Sequence, residues 1–569
     1  MTVDAARPPV HGPAYGPVHG EVFTRRWVVE VMLDLVGYTA DRELAAIRLV
    51  EPACGSGAFL IPAVERLLAS LGGAGIDETR LRCAVSSFDI QERNVQHCRH
   101  AVAGVLVRHG ASPQVADRLA RSWVRHEDYL LSARAHAGLF DTHLPADVDV
   151  VIGNPPYVRL EDVSDQISAE YRSRWPTMLG RADIFVGFYE RALRSLKPGG
   201  RLGFICADRW MRNQYGAALR KLVADGYSVD LVWTMHDVDA FEALVSAYPA
   251  ITVLSRQGQG SPVVAETDRD FGARSARELA QWTLASTLSA TTGPGYRAFR
   301  LPRWFPGDEL WPAGGPERLA LVEHLNDRFA PLHDPAGGTR VGIGVATGAD
   351  DVFVTTDDTL VERDRLLPLS MVADTRSGQL RWSGRYLVNP WAPDGTLVDL
   401  AAYPRFAGYL EGHRGELGRR YIVRNGRCWY QTIDKVNHAV TAQPKLLIQD
   451  MRAAINPVLD PGGHYPHHNL YYVVSSTWDM EVLGGLLLSR VAQAFIEAYC
   501  VRMRGNTLRF QAQYLKRIRV PRQADIPAAV RDSLRTAFRA RDVAAATHAA
   551  LDAYGLDHDQ LCLSGSEDV

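Results

Sequence analysis

The sequence predicts an α/β fold: an N-terminal domain built on a mostly parallel sheet, then a second, mixed α/β domain. Three observations carry that prediction. Between about residues 21 and 256, short β-branched or apolar runs alternate with longer amphipathic stretches, the pattern of strands linked through helices. A glycine turn directly follows the first of those runs and opens a helix. From about residue 301 the style changes: Trp, Pro and Gly become frequent and the apolar runs shorten.

Taken in order, residues 1–20 are rich in Pro, Gly and His and are expected to form a flexible arm. Strands are expected at Arg48–Glu51, Ala84–Asp89, Val148–Gly153, Arg201–Ala207, Ser228–Met235 and Ala250–Ser255. Helices are expected between them, at Phe59–Ser70, Asn94–Val107 and Ile184–Leu196. The last two strands read as a hairpin-like pair that adds an antiparallel edge. Residues 257–300, with RQGQGSPVV at their start and TTGPGYR near their end, read as a linker. The second domain spans 301–525, with helices near Leu319–Asn326 and Met480–Arg502, and 526–569 read as a helical tail.

Composition narrows the class. The 569 residues, 46% apolar and 22% charged, suit a globular protein of two large domains and exclude disorder as the main state. No apolar run reaches the roughly 20 residues of a membrane span, and Arg490 interrupts the longest candidate, Leu483–Tyr499. The N-terminus lacks the apolar stretch of a signal peptide, so a cytoplasmic location is expected. The seven cysteines are scattered and lack CxxC spacing, which argues against a disulfide framework and a structural zinc site; no metal is expected. The net charge of -2 gives no overall pull toward nucleic acid, so only local clusters of arginine can supply one.

Three motifs carry chemistry. The first is Glu51-Pro52-Ala53-Cys54-Gly55-Ser56-Gly57, between a strand and a helix. Its glycines allow close backbone approach to a ligand, and the helix start offers unpaired N–H groups. The lysine of a phosphate-binding loop and the third glycine of the dinucleotide fingerprint are both absent, so a nucleotide-like ligand without a pyrophosphate fits better. The second is Asp89, at the end of the next strand, where an acid can accept both hydroxyls of a ribose. Asp128, after the following segment, could reach the ligand's base.

The third motif is decisive. Residues 149–157 form an apolar strand ending in Asn154-Pro155-Pro156-Tyr157. Two prolines freeze the backbone there. They hold the Asn154 side-chain oxygen and the Pro155 carbonyl side by side as acceptors, a pair suited to gripping an –NH2 group.

These motifs, in this order, resemble the class I S-adenosylmethionine-dependent DNA adenine-N6 methyltransferases, in particular the TaqI-like, gamma-type group of restriction-modification systems. The resemblance extends to Val22-Phe23-Thr24 before a helix, to 196–204 (LKPGGRLGF), and to Phe241 with Val245-Ser246-Ala247 and 251–254. In the C-terminal half, 342–353, 486–489 and 514–521 resemble the opening and closing elements of the group's specificity domain. One departure is Arg25, where a proline often follows the threonine.

The resemblance implies a Rossmann-like methyltransferase domain (21–256) on a mostly parallel seven-stranded sheet, followed by a target-recognition domain (301–525). It implies S-adenosylmethionine as cofactor, held by Thr24, Glu51, Ala53, Cys54, Gly55 and Gly57, with Asp89 on its ribose and Asp128 on its adenine amino group. Asn154 and Pro155 would localise the lone pair of the target N6. The base must flip out of the duplex to be reached, and Tyr157 and Phe241 would clamp it. The basic stretches 419–438 and 501–523 would contact double-stranded DNA. A monomer is expected, with a separate restriction endonuclease as functional partner and a TCGA-containing palindrome as target. Methylation of an RNA base or of a protein glutamine, and a DNA-binding phage-defence subunit, are the alternatives.

Overall fold

A computed structural model describes residues 24–557, apart from 74, 133–146, 236–237, 243–248, 501 and 504–506. The expected arm, Val22, Phe23, Val245-Ser246-Ala247, Arg504, Asn506 and the chain after 557 lie outside the described residues. The chain divides into two compact units, Met1–Pro316 and Glu317–Val569.

The first unit is built on one ten-stranded sheet. Its strands are β1 (Leu49–Glu51), β2 (Val85–Asp89), β3 (Val124–His126), β4 (Val148–Gly153), β5 (Leu196–Ala207), β6 (Ser228–Met235), β7 (Pro249–Ser255), β8 (Val263–Thr267), β9 (Ala290–Gly293) and β10 (Tyr296–Arg300). They lie in the order β3-β2-β1-β4-β5-β7-β6-β8-β10-β9. Strand β1 pairs in parallel with β2 on one side and β4 on the other (Leu49 opposite Val85 and Val150). The winding direction reverses between β1 and β4, and a crevice opens outside the carboxyl ends of strands at such a reversal. The first motif follows β1, Asp89 ends β2, and Asn154 follows β4, so this one topological feature brings all three motifs to the same rim.

Two expectations are corrected here. The antiparallel strand is β7, and it lies between β5 and β6 rather than at the edge, with Gly203 opposite Val253 and Trp233 opposite Ile251. Its seven residues are buried throughout, which suits a strand covered on both faces. Nor is 257–300 a linker. It folds as β8, a helix at Ala273–Ala285, and the β9–β10 hairpin, extending the sheet from seven strands to ten. Its glycines and Pro262 mark tight turns between short elements, while Val263, Ala265, Ala276, Leu279 and Ala298 join the core. β3, only three residues long, carries no periodicity for sequence reading to detect.

The second unit is mixed α/β. One antiparallel sheet joins Thr339–Ile343, Leu470–Ser475, Lys445–Gln449 and Val458–Asp460; a mixed sheet joins Val354–Thr355, Tyr386–Val388, Leu366–Ser370 and Tyr465–Pro466, the last pair parallel. In the first, Lys445 and Asp460 form an ion pair at 3.0 Å with both side chains fully buried. The single helix expected over Met480–Arg502 is two, Met480–Leu488 and Arg490–Tyr499, bent by 64°. Ser489 breaks them, its hydroxyl capping the second helix at Ala492 N. The expected tail is part of this unit. Its helix Ala528–Ala540 packs on Met480–Leu488 so closely that a Cβ on Gly484 would lie 2.5 Å from the Phe538 ring. Among the described residues no single helix is long and apolar enough to cross a membrane.

Candidate active site

The loop after β1 is held from two sides. Cys54 N donates to the Phe88 carbonyl of β2 at 2.9 Å, and Gly57 N closes the turn on the Cys54 carbonyl at 2.8 Å. Gly57 has φ +89°, a left-handed conformation that only glycine adopts cheaply, and a Cβ there would also meet Cys98 Sγ at 3.3 Å. Asp89 supplies the second anchor. Its Oδ2 accepts from Gly55 N at 2.9 Å, its Oδ1 accepts from Gln91 N at 2.8 Å, and Asn94 Nδ2 lies 3.3 Å from both oxygens. One carboxylate thus ties the glycine loop to the end of β2 and to the helix that follows.

This loop, the ends of β2 and β3 and the start of the NPPY segment enclose a cleft of about 840 Å³, including its open mouth. Thr24, Glu51, Ala53, Cys54, Gly55, Asp89, Asp128 and Asn154 line it. Gly57 does not; it makes the turn and faces the Cys98 helix.

Electrostatically the cleft is acidic at its base. Glu51 is 1% exposed, and its polar partner is Ser87 Oγ at 3.3 Å. Burial pushes its carboxyl well above the usual range, and the neighbouring Cys54 and Asp89 push the same way. The Cys54 thiol is raised by its contact with Cys98 and by burial. Asp128 accepts from Leu130 N through Oδ1 at 2.8 Å and from the Tyr171 hydroxyl through Oδ2 at 2.6 Å.

Several lining residues escaped the sequence reading. Tyr129 and Phe188 stack at 5.3 Å with planes tilted by 34° and form an aromatic wall with Ile90 and Ile184 beside it. Ile90 and Tyr129 directly follow the two strand-end acids, and Ile184 and Phe188 are four residues apart at the start of helix Phe185–Ser195; both spacings were available as signals. Tyr171 was not accessible in that way, because its helix Asp165–Arg174 is polar nearly all round.

Of the expected catalytic residues, Asn154 lines the cleft. Asn154 Nδ2 donates to Thr24 Oγ1 at 3.3 Å. Thr24 forms a backbone bridge with Phe241, and Arg25 reinforces it through Arg25 N to the Ala240 carbonyl (3.0 Å) and Arg25 Nε to the Phe241 carbonyl (3.1 Å). A proline at 25 could not make the first of these bonds. Tyr157 and Phe241 meet edge-to-face, with centroids 6.4 Å apart and planes at 84°. Both rings are buried, Phe241 within the core cluster, and like Pro155 they lie outside the lining of the cleft. The segment after Tyr157 is pinned by backbone bonds from Ile184 N to the Val158 carbonyl (2.9 Å) and Leu160 N to the Ala182 carbonyl (3.0 Å).

In the second unit the two basic stretches fare differently. Arg509, Arg519 and Arg522 of 501–523 are engaged with Asp450, Asn326 and Asp525. In 419–438, Arg420 is tied to the carbonyls of Thr347, Trp429 and Gln431, whereas Arg419, Arg424, Arg427 and Lys435 are exposed, as is Tyr421 at 79%.

The family described as Eco57I restriction-modification methylase matches residues 86–241. The type II methyltransferase M.PaeR7I of Pseudomonas aeruginosa is 42% identical over 546 residues, covering 95% of this chain and 92% of its own. M.XhoI of Xanthomonas vasicola is 40% identical, with 95% and 97% covered, and M.BstVI of Geobacillus stearothermophilus is 36% identical, with 89% and 90% covered. Among solved structures, the type IIL restriction-modification enzyme MmeI in complex with DNA superposes with a TM-score of 0.58 at 12% identity, over 95% of this chain and 74% of that one. A nuclease-deletion mutant of the type ISP enzyme LlaGI gives 0.53 at 12%, over 91% and 46%. At these identities the structures speak to the fold alone.

Proposed function

The chain belongs to the type II DNA methyltransferases of restriction-modification systems, with S-adenosylmethionine as cofactor, and from that premise we propose that it methylates N6 of a flipped-out adenine in a short duplex sequence. The observation that carries adenine specificity is the strand end at 153–157. Asn154 stands at the rim of the cofactor cleft, oriented by Thr24, and Pro155 follows it with a carbonyl that can only accept.

The cleft suits the cofactor on its own chemistry. Glu51 is a buried carboxyl with no cationic partner among the described residues, a place for the cofactor's amino group. Asp89 would hold the ribose, Asp128 the adenine amino group, and Tyr129 and Phe188 offer an apolar wall for the purine. Thr24, Ala53, Cys54 and Gly55 complete the set, and Gly57 acts through the turn it makes. When bound, the cofactor supplies an electrophilic methyl group on a sulfonium.

The remaining work falls to the chain. An adenine amino group is a poor nucleophile because its lone pair is delocalised into the ring. Asn154 Oδ1 and the Pro155 carbonyl, accepting its two hydrogens, favour the pyramidal nitrogen that forms in the transition state. No group with a tuned pKa is needed at that point. Tyr157 and Phe241 would hold the flipped base, replacing stacking worth roughly 1–3 kcal/mol per base. The exposed cations at 419–435 would contact phosphates, with Tyr421 among them. Such a mark would protect DNA from a companion endonuclease.

Asn154→Ala tests the reading: turnover should fall about 10²–10³-fold while cofactor binding stays near normal. Long-read sequencing of DNA methylated by the wild-type chain should place N6-methyladenine in one short palindrome containing TCGA. Methylation at cytosine would overturn the assignment.

A further inference from the structure

We propose that the second unit holds a divalent transition-metal ion between Asp350, His467 and His468. His467 Nε2 lies 3.0 Å from Asp350 Oδ2 and 3.1 Å from His468 Nδ1. The three potential ligand atoms all lie within 4.8 Å of one another. Ligands bound at about 2.0–2.2 Å to one ion sit roughly 3.0–3.5 Å apart, so the two close pairs already have the spacing of a shared coordination sphere.

Protons satisfy this arrangement poorly. If His467 Nε2 carries a hydrogen, that hydrogen points to Asp350 or to His468 but cannot serve both well. If His468 Nδ1 donates to Nε2 instead, the second lone-pair contact, from Nε2 to the Asp350 carboxylate, is repulsive. A cation is attracted to all three atoms at once.

The ligands are also held in place. The Thr347 hydroxyl bonds Asp350 Oδ1, which leaves Oδ2 to face the imidazoles. His467 N donates to the Ser370 carbonyl and His468 N to the Val345 carbonyl, both at 3.0 Å. These bonds fix the backbone that carries the two rings; the other ring nitrogen of His467, Nδ1, is buried and makes no hydrogen bond among the described residues. The His467 side chain is 2% exposed and that of Asp350 47%, so the site is closed on one side and open to a water ligand on the other. Two imidazole nitrogens and one carboxylate oxygen suit Zn²⁺, Co²⁺ or Ni²⁺ better than Mg²⁺ or Ca²⁺. The ion would pin the segment 345–350 to the segment 465–468 within this unit, independently of the methyl-transfer chemistry.

The test uses the untagged full chain, stripped with chelator and then exposed to Zn²⁺ or Co²⁺. The wild type should retain about one equivalent of zinc through gel filtration, with Co²⁺ giving visible absorption bands of a nitrogen- and oxygen-ligated site. His468→Ala and Asp350→Asn, at the more exposed positions, should each bind at least about tenfold more weakly, with circular dichroism confirming their folds. Zinc should raise the melting temperature of the wild type and of neither variant. A wild-type chain that retains no ion overturns the proposal, and so does equal retention by both variants; should both variants misfold, the wild-type stoichiometry and Co²⁺ spectrum decide it.

Discussion

Replacing Asp89 by Asn keeps the side chain's shape and removes its charge and one acceptor. In the wild type both oxygens are used: Oδ2 accepts from Gly55 N at 2.9 Å and Oδ1 from Gln91 N at 2.8 Å. Asn can accept only through one oxygen, so an –NH2 group must face either Gly55 N–H or Gln91 N–H. A hydrogen bond to a charged acceptor contributes about 1.5–3 kcal/mol. If the loop kept its conformation, that loss would be equal with and without cofactor and would cancel from the affinity. It reaches the affinity to the extent that the released loop relaxes in the free protein and must be re-ordered on binding, and to the extent that Asp89 contacts the ribose. Full expression corresponds to roughly 10–150-fold weaker cofactor binding, at 1.4 kcal/mol per factor of ten. Isothermal titration with S-adenosylmethionine measures the affinity, and thermal melts with and without cofactor separate the two contributions. An affinity within twofold of wild type would refute the view that Asp89 both organises the loop and holds the ligand.

Thr24→Val removes the acceptor that orients the Asn154 carboxamide; losing one neutral hydrogen bond of about 0.5–1.5 kcal/mol should lower turnover about 2–10-fold, and Thr24→Ser should restore it in a single-turnover assay. The Glu51 carboxyl is raised above its ordinary value of 4.5 by burial, so its contribution to folding is greatest at acid pH and is lost as pH rises through the shifted value. A cationic cofactor group favours the ionised form, so cofactor affinity should rise with pH until the raised carboxyl of the free protein has ionised and then level off; calorimetry across that range should find the slope absent in Glu51→Gln. Lys445→Met leaves the buried Asp460 with only His464 and Gly462 N as partners among the described residues and should cost up to about 3–5 kcal/mol in denaturant unfolding, whereas replacing both Lys445 and Asp460 by apolar residues should cost much less. Neutralising Arg424 and Arg427 together should weaken binding to every duplex and reduce the salt slope by about two, leaving the methylated sequence unchanged by sequencing.

What sequence could reveal about this protein was the chemistry carried by adjacent residues. Asn154-Pro155-Pro156-Tyr157 and 51–57 are legible because two prolines restrict a backbone, and two closely spaced glycines free it for a tight turn, wherever they occur. Long elements such as Glu92–Arg108 and Ser228–Met235 were legible from periodicity. The place of β7 between β5 and β6, and the absorption of 257–300 into the sheet, were not, because strand pairing is decided by which apolar faces find cover. Gly258, Gly260 and Pro262 look the same in a turn between strands as in a linker. Only the tertiary structure brought Thr24 to Asn154, Tyr171 to Asp128 and Asp350 to His467, residues 130, 43 and 117 positions apart. Their hydrogen bonds and burial depend on contacts that no local pattern encodes, because the energy of a polar group is set by what surrounds it after the chain has closed around it.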